Sequence, residues 1–370
     1  GDFAYQYKID MLVVGSEAPL VEGIADYFAA QAQLRHIKVI GAKKAGAMLE
    51  GSKDFAKQFM LKYNIPTASY RTFTPSTLAD GLAYIAQHSL PVVLKADGLA
   101  AGKGVIIAET TAHAQATLQE MLAGKFGEAS SRVVIEQFLS GIELSVFILT
   151  DGISYKLLPS AKDYKRVGEG DKGLNTGGMG AVSPVPFADE AFMQKVKDKI
   201  IMPTLQGLQA EKIDYKGFIF FGLIKVGDEP YVIEYNARMG DPETEVVLPR
   251  IETDLVALLD AAAQQKLAEF GELQINPQTA TTVMLVSGGY PEDFEKDKAI
   301  TGLDQVKEAI AFHAGTKLSD SKVVSSGGRV IALTAFGNTL AEALQKSNAA
   351  AATVQFDKKY YRKDIGFDLM

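Results

Sequence analysis

The stretch Val232–Glu245, VIEYNARMGDPETE, carries more chemistry than any other segment of this 370-residue chain. Val232, Ile233 and Tyr235 predict a strand, and because strand side chains alternate faces, Glu234, Asn236 and Arg238 project to one side. A carboxylate and an amide oxygen two positions apart suit Mg²⁺, which takes oxygen ligands and keeps its other positions for water and nucleotide phosphates. Arg238 would face the same phosphate oxygens. Gly240 and Pro242 then turn the chain, leaving Asp241, Glu243 and Glu245 near the strand end, where a substrate amine or hydroxyl could be held. Taken alone, the segment reads equally well as an edge strand with a solvated polar face and an acidic turn.

Working back toward the N-terminus, a second segment adds weight. Lys95–Gly104, KADGLAAGKG, lies between the apolar runs PVVLK and GVIIAE. Glycines let backbone N–H groups approach an anion, and Lys95 and Lys103 add charge, so the composition suits a triphosphate. It is not a Walker A loop, because Gly98 and Gly102 are one residue too close and Lys103 is followed by glycine; the dinucleotide GxGxxG pattern also fails. The β-branched run after it predicts a strand, so no helix N-terminus waits for phosphate. The expectation is a flexible hairpin lid, against a plain surface hairpin that needs glycine to turn.

The rest of the chain supplies the frame. Hydrophobic residues at 47% and charged residues at 22% describe an ordinary globular protein, long enough for two or three domains. A net charge of -7 argues against a general nucleic-acid or anionic-membrane surface and points to small-molecule partners. With no cysteine, thiolate metal sites, disulfides and cysteine nucleophiles are excluded. No apolar run reaches membrane-span length and no signal pattern opens the chain, so a cytoplasmic location is the default. Strands at 9–15 and 37–41 around a helix at 20–33 predict a β-α-β opening. Helices are expected at 45–63, 78–88, 112–122, 189–211, 254–267 and 339–354. Strands follow over VVIEQF, LSVFIL, ISYKLL, GFIFFGLIKV, 282–287 and 329–335. The fold class is therefore mixed α/β and α+β, multidomain. The expected division is 1–50, an N-terminal α/β domain; 51–270, with a lid subdomain at about 65–133; and 271–370, a small closing domain.

Taken in order, the strand-borne Lys95, the glycine-rich lid, the acidic strand Val134–Leu139 with Glu143 after it, and EYNAR resemble the ATP-grasp superfamily. Within it, SKDF (52–55), KADGLAAGKGV (95–105), DYKRVGEGDKGLNTGGMGA (163–181) and EYNARMGDPETE are similar to the phosphoribosylamine-glycine ligase (glycinamide ribonucleotide synthetase) family of de novo purine synthesis. GGYP (288–291) and SSGGR (325–329) extend the likeness toward the C-terminus. The resemblance implies an ATP-grasp fold with a Rossmann-like N-terminal remnant of the biotin-carboxylase type. It implies that Lys53 and Lys95 contact ATP phosphates under a loop around Gly102 and Gly104, that Glu136 and the backbone of Phe138 and Leu139 hold adenine, and that Glu143 binds ribose. Glu234 and Asn236 would ligate Mg²⁺ or Mn²⁺, and Arg238 would stabilise the transferring phosphoryl group. Asp163, Lys165, Arg166, Asn175, Thr176, Gly177, Gly178, Asp241 and Glu243 would face glycine and 5-phosphoribosylamine. A monomer or weak dimer is expected. The implied reaction forms glycinamide ribonucleotide through glycyl phosphate, with no protein nucleophile.

The sequence departs from the family in one respect. Family members open on a strand and a GxGGREHA-type loop that this sequence does not carry, and Ser16 in GSEAPL stands where proline is usual. The expectation is that the sequence starts late, since a sheet without its first strand exposes an edge. Two other readings remain open here: an ATP-grasp carboxylase using bicarbonate, and a nucleotide-binding module without catalysis.

Overall fold

Val92–Ala96 is buried at every position, Lys95 included, as befits a central strand of mostly apolar residues covered on both faces. It pairs antiparallel with Val105–Ala108 on one side and Val133–Gln137 on the other, and Tyr70–Phe73 closes the sheet against the latter. Helices Leu78–Gln87 and Thr111–Leu122 cover this sheet, and Ile85, Leu94, Leu118 and Ile135 are fully buried in the shared core. The runs flanking the glycine-rich loop are thus the arms of a hairpin. The computed structural model describes residues 1–100 and 103–370, so Gly102 lies outside the described residues.

A second antiparallel sheet runs in the order Glu229–Asn236, Gly217–Val226, Ile142–Thr150, Tyr155–Leu157. Its register passes from Gly222 opposite Glu234 to Leu223 opposite Val232, which leaves Ile233 as the extra residue of a bulge. Upstream, Met11–Val13 and Lys38–Ile40 pair in parallel. These elements belong to one compact unit comprising 1–157, 189–239 and 256–271.

Three expected helices are interrupted. The 20–33 helix is two, Glu17–Glu22 and Ile24–Ala30, parted at Gly23 with φ 95°, a conformation only glycine adopts cheaply. The 45–63 helix breaks at Ser52, which is extended and caps the second piece, Lys53–Lys62; its Oγ accepts from the Phe55 N–H at 3.1 Å. The 189–211 helix carries a π-turn over Lys197–Ile201 just before Pro203, which has no N–H for a carbonyl one turn back.

The other unit comprises 158–188, 240–255 and 272–370. Its five-stranded sheet runs Ala309–His313, Arg329–Gly337, Thr279–Val286, Gly180–Ser183, Lys162–Asp163. Helix Leu340–Thr353, capped by Thr339, packs on it over Val283, Leu285, Ile331 and Leu333, all fully buried. Among the described residues no helix is long and apolar enough to cross a membrane.

Candidate active site

In the first unit a cavity of about 160 Å³ is lined by residues from both four-stranded sheets, among them Val105, Glu136, Glu234 and Asn236, by Gly104 just before one strand, and by the Lys53–Lys62 helix. Its floor is a buried ionic cluster. Glu136 Oε2 lies 2.9 Å from Lys95 Nζ and 3.2 Å from Lys57 Nζ, and the three side chains are 4%, 4% and 2% exposed in that order. Removing charges from water this completely requires pairing. Yet Glu136 Oε1 is buried without a hydrogen-bond partner among the described residues. Lys95 also donates to the Ile233 carbonyl at 3.2 Å, the group that the bulge releases from the strand ladder. Burial lowers the Lys57 ammonium to about 8, with Glu136 opposing the shift; burial also lowers Lys53, against the pull of Glu234.

The glycine-rich loop is tied down at its start. Asp97 Oδ1 accepts from Ser52 Oγ at 2.9 Å and from the Asp54 N–H at 2.8 Å, while the Asp97 carbonyl accepts from the Lys53 N–H at 3.1 Å. Lys53 Nζ donates to the Gly98 carbonyl at 3.3 Å. The start of the Lys53–Lys62 helix and the base of the hairpin therefore form one hydrogen-bonded joint.

Glu234, Asn236 and Arg238 all line the cavity, although the strand ends at Asn236 and Arg238 lies beyond it. Strand alternation does not aim Arg238; two carboxylates do. Glu50 Oε1 is 2.8 Å from Arg238 Nη2, Glu17 Oε2 is 3.4 Å from Nε, and the second Glu50 oxygen accepts the Ala237 N–H at 2.7 Å. Burial holds Glu50 up at about 7, outweighing Arg238. Glu234 and Asn236 fit a hard cation: both are oxygen donors on one cavity wall, and the buried Asn236 Nδ2 meets no acceptor among the described residues. The described residues hold no cluster of three or more His, Cys, Asp or Glu for a metal, so a cation here would complete its shell with water and phosphate. Phe138 and Leu139 follow the Val133–Gln137 strand, and Glu143 stands exposed in the adjacent sheet opposite Ile224.

The other predicted residues gather in the second unit. Asp163 pairs with Ala181 across the sheet, with Lys165 Nζ 3.7 Å from its carboxylate. Arg166 and Asn175 are opposite each other in a hairpin, Arg166–Gly168 with Lys172–Asn175. Thr176 donates through N and Oγ1 to the Lys165 carbonyl at 2.8 Å each, and its Oγ1 accepts the Gly178 N–H at 2.9 Å. Gly178 has φ 124°, and a Cβ there would meet Pro242 Cδ at 2.3 Å, so only glycine fits. Arg329 joins the two turns: it donates to the Gly177 carbonyl, the Asp241 carbonyl and Asp241 Oδ2, all at 2.9 Å. Glu243 is buried. Burial and nearby Asp241 hold Glu245 up at about 7.

Three models of the phosphoribosylglycinamide synthetase family match in order: the N domain over residues 1–50, the ATP-grasp (A) domain over 51–244 and the C domain over 280–368. The chain belongs to the phosphoribosylglycinamide synthetase family. A phosphoribosylamine-glycine ligase of Escherichia coli O6:H1 is 45% identical over 372 residues, covering 99% of this chain and 85% of that protein. The crystal structure of the phosphoribosylamine-glycine ligase of Thermotoga maritima superposes with a TM-score of 0.82 at 36% identity, covering 92% of this chain and 84% of that one. A biotin carboxylase from Campylobacter jejuni, at 15% identity and TM-score 0.71 over 99% of this chain and 79% of its own, shares the fold alone. The chain therefore has the ATP-grasp fold expected from its motifs.

Several residues that shape the cavity, and one that shapes the turns of the second unit, were not picked out from sequence. Lys57 stands four residues after Lys53 on one helix, a spacing that puts both on the same face and could have revealed it. Asp97 lay inside the quoted loop but was passed over for its glycines and lysines. Glu17 and Glu50 act on the cavity through Arg238 and Ala237, and Arg329 acts on the Gly177 and Asp241 turns, through chain-distant contacts that no local pattern announces.

Proposed function

We propose that the chain ligates glycine to 5-phosphoribosylamine with ATP, giving glycinamide ribonucleotide, ADP and phosphate, a step of de novo purine biosynthesis. The observation that carries this reading is the buried Lys57–Glu136–Lys95 cluster at the floor of a lysine-lined cavity, in a chain matched in order by the family's three domains. Lys95 engages two described acceptors and Lys53 one, so each ammonium keeps at least one of its three N–H groups for phosphate oxygens. Glu136 Oε1, with the backbone after it at Phe138 and Leu139, would hold adenine, and Glu143 the ribose. The loop around Gly102 and Gly104 would close over the phosphates.

Glu234 and Asn236 would hold Mg²⁺ or Mn²⁺, which would supply charge neutralisation at the phosphates. The glycine carboxylate attacks the γ-phosphorus and ADP leaves. Arg238, fixed by Glu50 and Glu17, neutralises the charge developing on the transferred group. The amine nitrogen then attacks the acyl carbon and phosphate leaves. Asp163, Lys165, Arg166, the Asn175–Gly178 turn, Asp241 and Glu243 would bind glycine and the amine. A three-part division at 1–50, 51–270 with its lid, and 271–370 accompanies this reading, supported by the bounds of the matched domains.

The test is phosphate release from MgATP with glycine, with and without 5-phosphoribosylamine generated in situ, beside a bicarbonate control. Release that requires both glycine and the amine supports the ligase. Release with bicarbonate instead would overturn it.

A further inference from the structure

Lys57 and Lys95 contact the same oxygen of Glu136 but differ in what they have left to give. An ammonium has three N–H donors. Lys57 uses all three inside the protein: Glu136 Oε2 at 3.2 Å, Thr67 Oγ1 at 2.8 Å and the Ala68 carbonyl at 3.3 Å. Thr67 is itself fixed, donating to the Val232 carbonyl at 2.7 Å. Lys57 therefore has no donor for a ligand, and at 2% exposure it forms part of the floor. Its contacts pin one side of the Glu136 carboxylate. The other side, Oε1, is buried beside the cavity and has no hydrogen-bond partner among the described residues. An ionised carboxylate only accepts hydrogen bonds, and a buried acceptor without a donor carries a desolvation penalty.

We propose that Lys57 is a positioning residue for nucleobase selection: by holding Glu136 through Oε2, it leaves Oε1 as a fixed acceptor for the exocyclic amine of a 6-aminopurine. A 6-oxopurine would bring a carbonyl oxygen to that oxygen and leave both acceptors unpaired in a buried site, the arrangement by which polar sites reject analogues most strongly. This rests on the reading that the cavity takes ATP, but not on the identity of the carboxylate or amine substrate.

The test is calorimetric binding of MgATP and MgGTP to the full chain and to Lys57→Met, which keeps the unbranched four-atom stem and removes the ammonium and its donors. Binding needs no second substrate, so failure of the ligase reading in the phosphate-release assay remains a separate result. The wild-type protein is expected to prefer ATP, and Lys57→Met to reduce the ATP-to-GTP affinity ratio by about tenfold or more, the size of one lost hydrogen bond to a charged group. General loosening of the fold would weaken both nucleotides alike and leave the ratio unchanged. A folded variant with the wild-type ratio, or a wild-type protein that does not distinguish the two nucleotides, overturns the assignment. Lys57→Gln, which keeps two amide N–H donors on a shorter side chain without the charge, gives the same comparison if the methionine variant does not fold.

Discussion

Arg238 shows what a single side chain gains from chain-distant neighbours. An unanchored arginine after a strand samples many rotamers and loses that entropy on each turnover; here Glu50 and Glu17 hold it in place beforehand. Arg238→Ala is expected to lower kcat by about 10²-fold or more with little change in ATP affinity, since its contribution falls on the transition state. A change confined to KM would instead assign it to ground-state binding. Glu234→Ala is expected to abolish metal-dependent turnover while circular dichroism stays native; wild-type activity would remove it from the metal site. Glu50 makes a prediction in pH. Its folded value of about 7 stands above the ordinary 4.5, so its contribution to stability is complete below pH 4.5 and is lost as pH rises through 7, by about 3 kcal/mol. Glu50→Gln should flatten the fall of Tm over that window, leaving the part due to Glu245, which is held up to a similar value. An unchanged profile would place the titration elsewhere. At this scale the sequence was legible where strand alternation alone brings two side chains to one cavity wall, as with Glu234 and Asn236, and illegible where Glu50 meets Ala237 across 187 positions.

Among the elements, strands were read more faithfully than helices. Gly217–Val226 and Glu229–Asn236 announce themselves by β-branched and aromatic runs, whereas the breaks at Gly23 and Ser52 leave helical periodicity nearly intact on both sides. The bulge at Ile233 was equally hidden, because it depends on which residues of the neighbouring strand lie opposite. Ser52 entered the sequence reading only as part of SKDF, but it acts as a cap and joins the helix to the hairpin through Asp97. Ser52→Ala is expected to cost about 1 kcal/mol in denaturant unfolding from the lost cap. It should also raise KM for ATP, because the base of the glycine-rich loop loses a tie; a stability loss with unchanged KM would separate the cap from the loop.

Across the whole molecule, the chain passes between its two units five times, at 157/158, 188/189, 239/240, 255/256 and 271/272. Hydrophobic periodicity finds strands but cannot say that Gly180–Ser183 pairs with Thr279–Val286, so this weave was invisible in sequence. One consequence is testable by truncation. A fragment ending at residue 271 retains Gly180–Ser183, buried at all four positions, but lacks the strand that pairs Val283 with Gly180. Its exposed apolar edge should drive aggregation on size-exclusion chromatography; a monodisperse, cooperatively unfolding fragment would refute this. The same weave orders events on the ribosome. The sheet built from Tyr70–Phe73, Val92–Ala96, Val105–Ala108 and Val133–Gln137 is complete early in synthesis. Gly180–Ser183 must wait for Thr279 and the residues after it, which at ordinary elongation rates takes roughly 5 to 20 s. The period in which a nascent chain most needs a chaperone is therefore set by translation of its own second half.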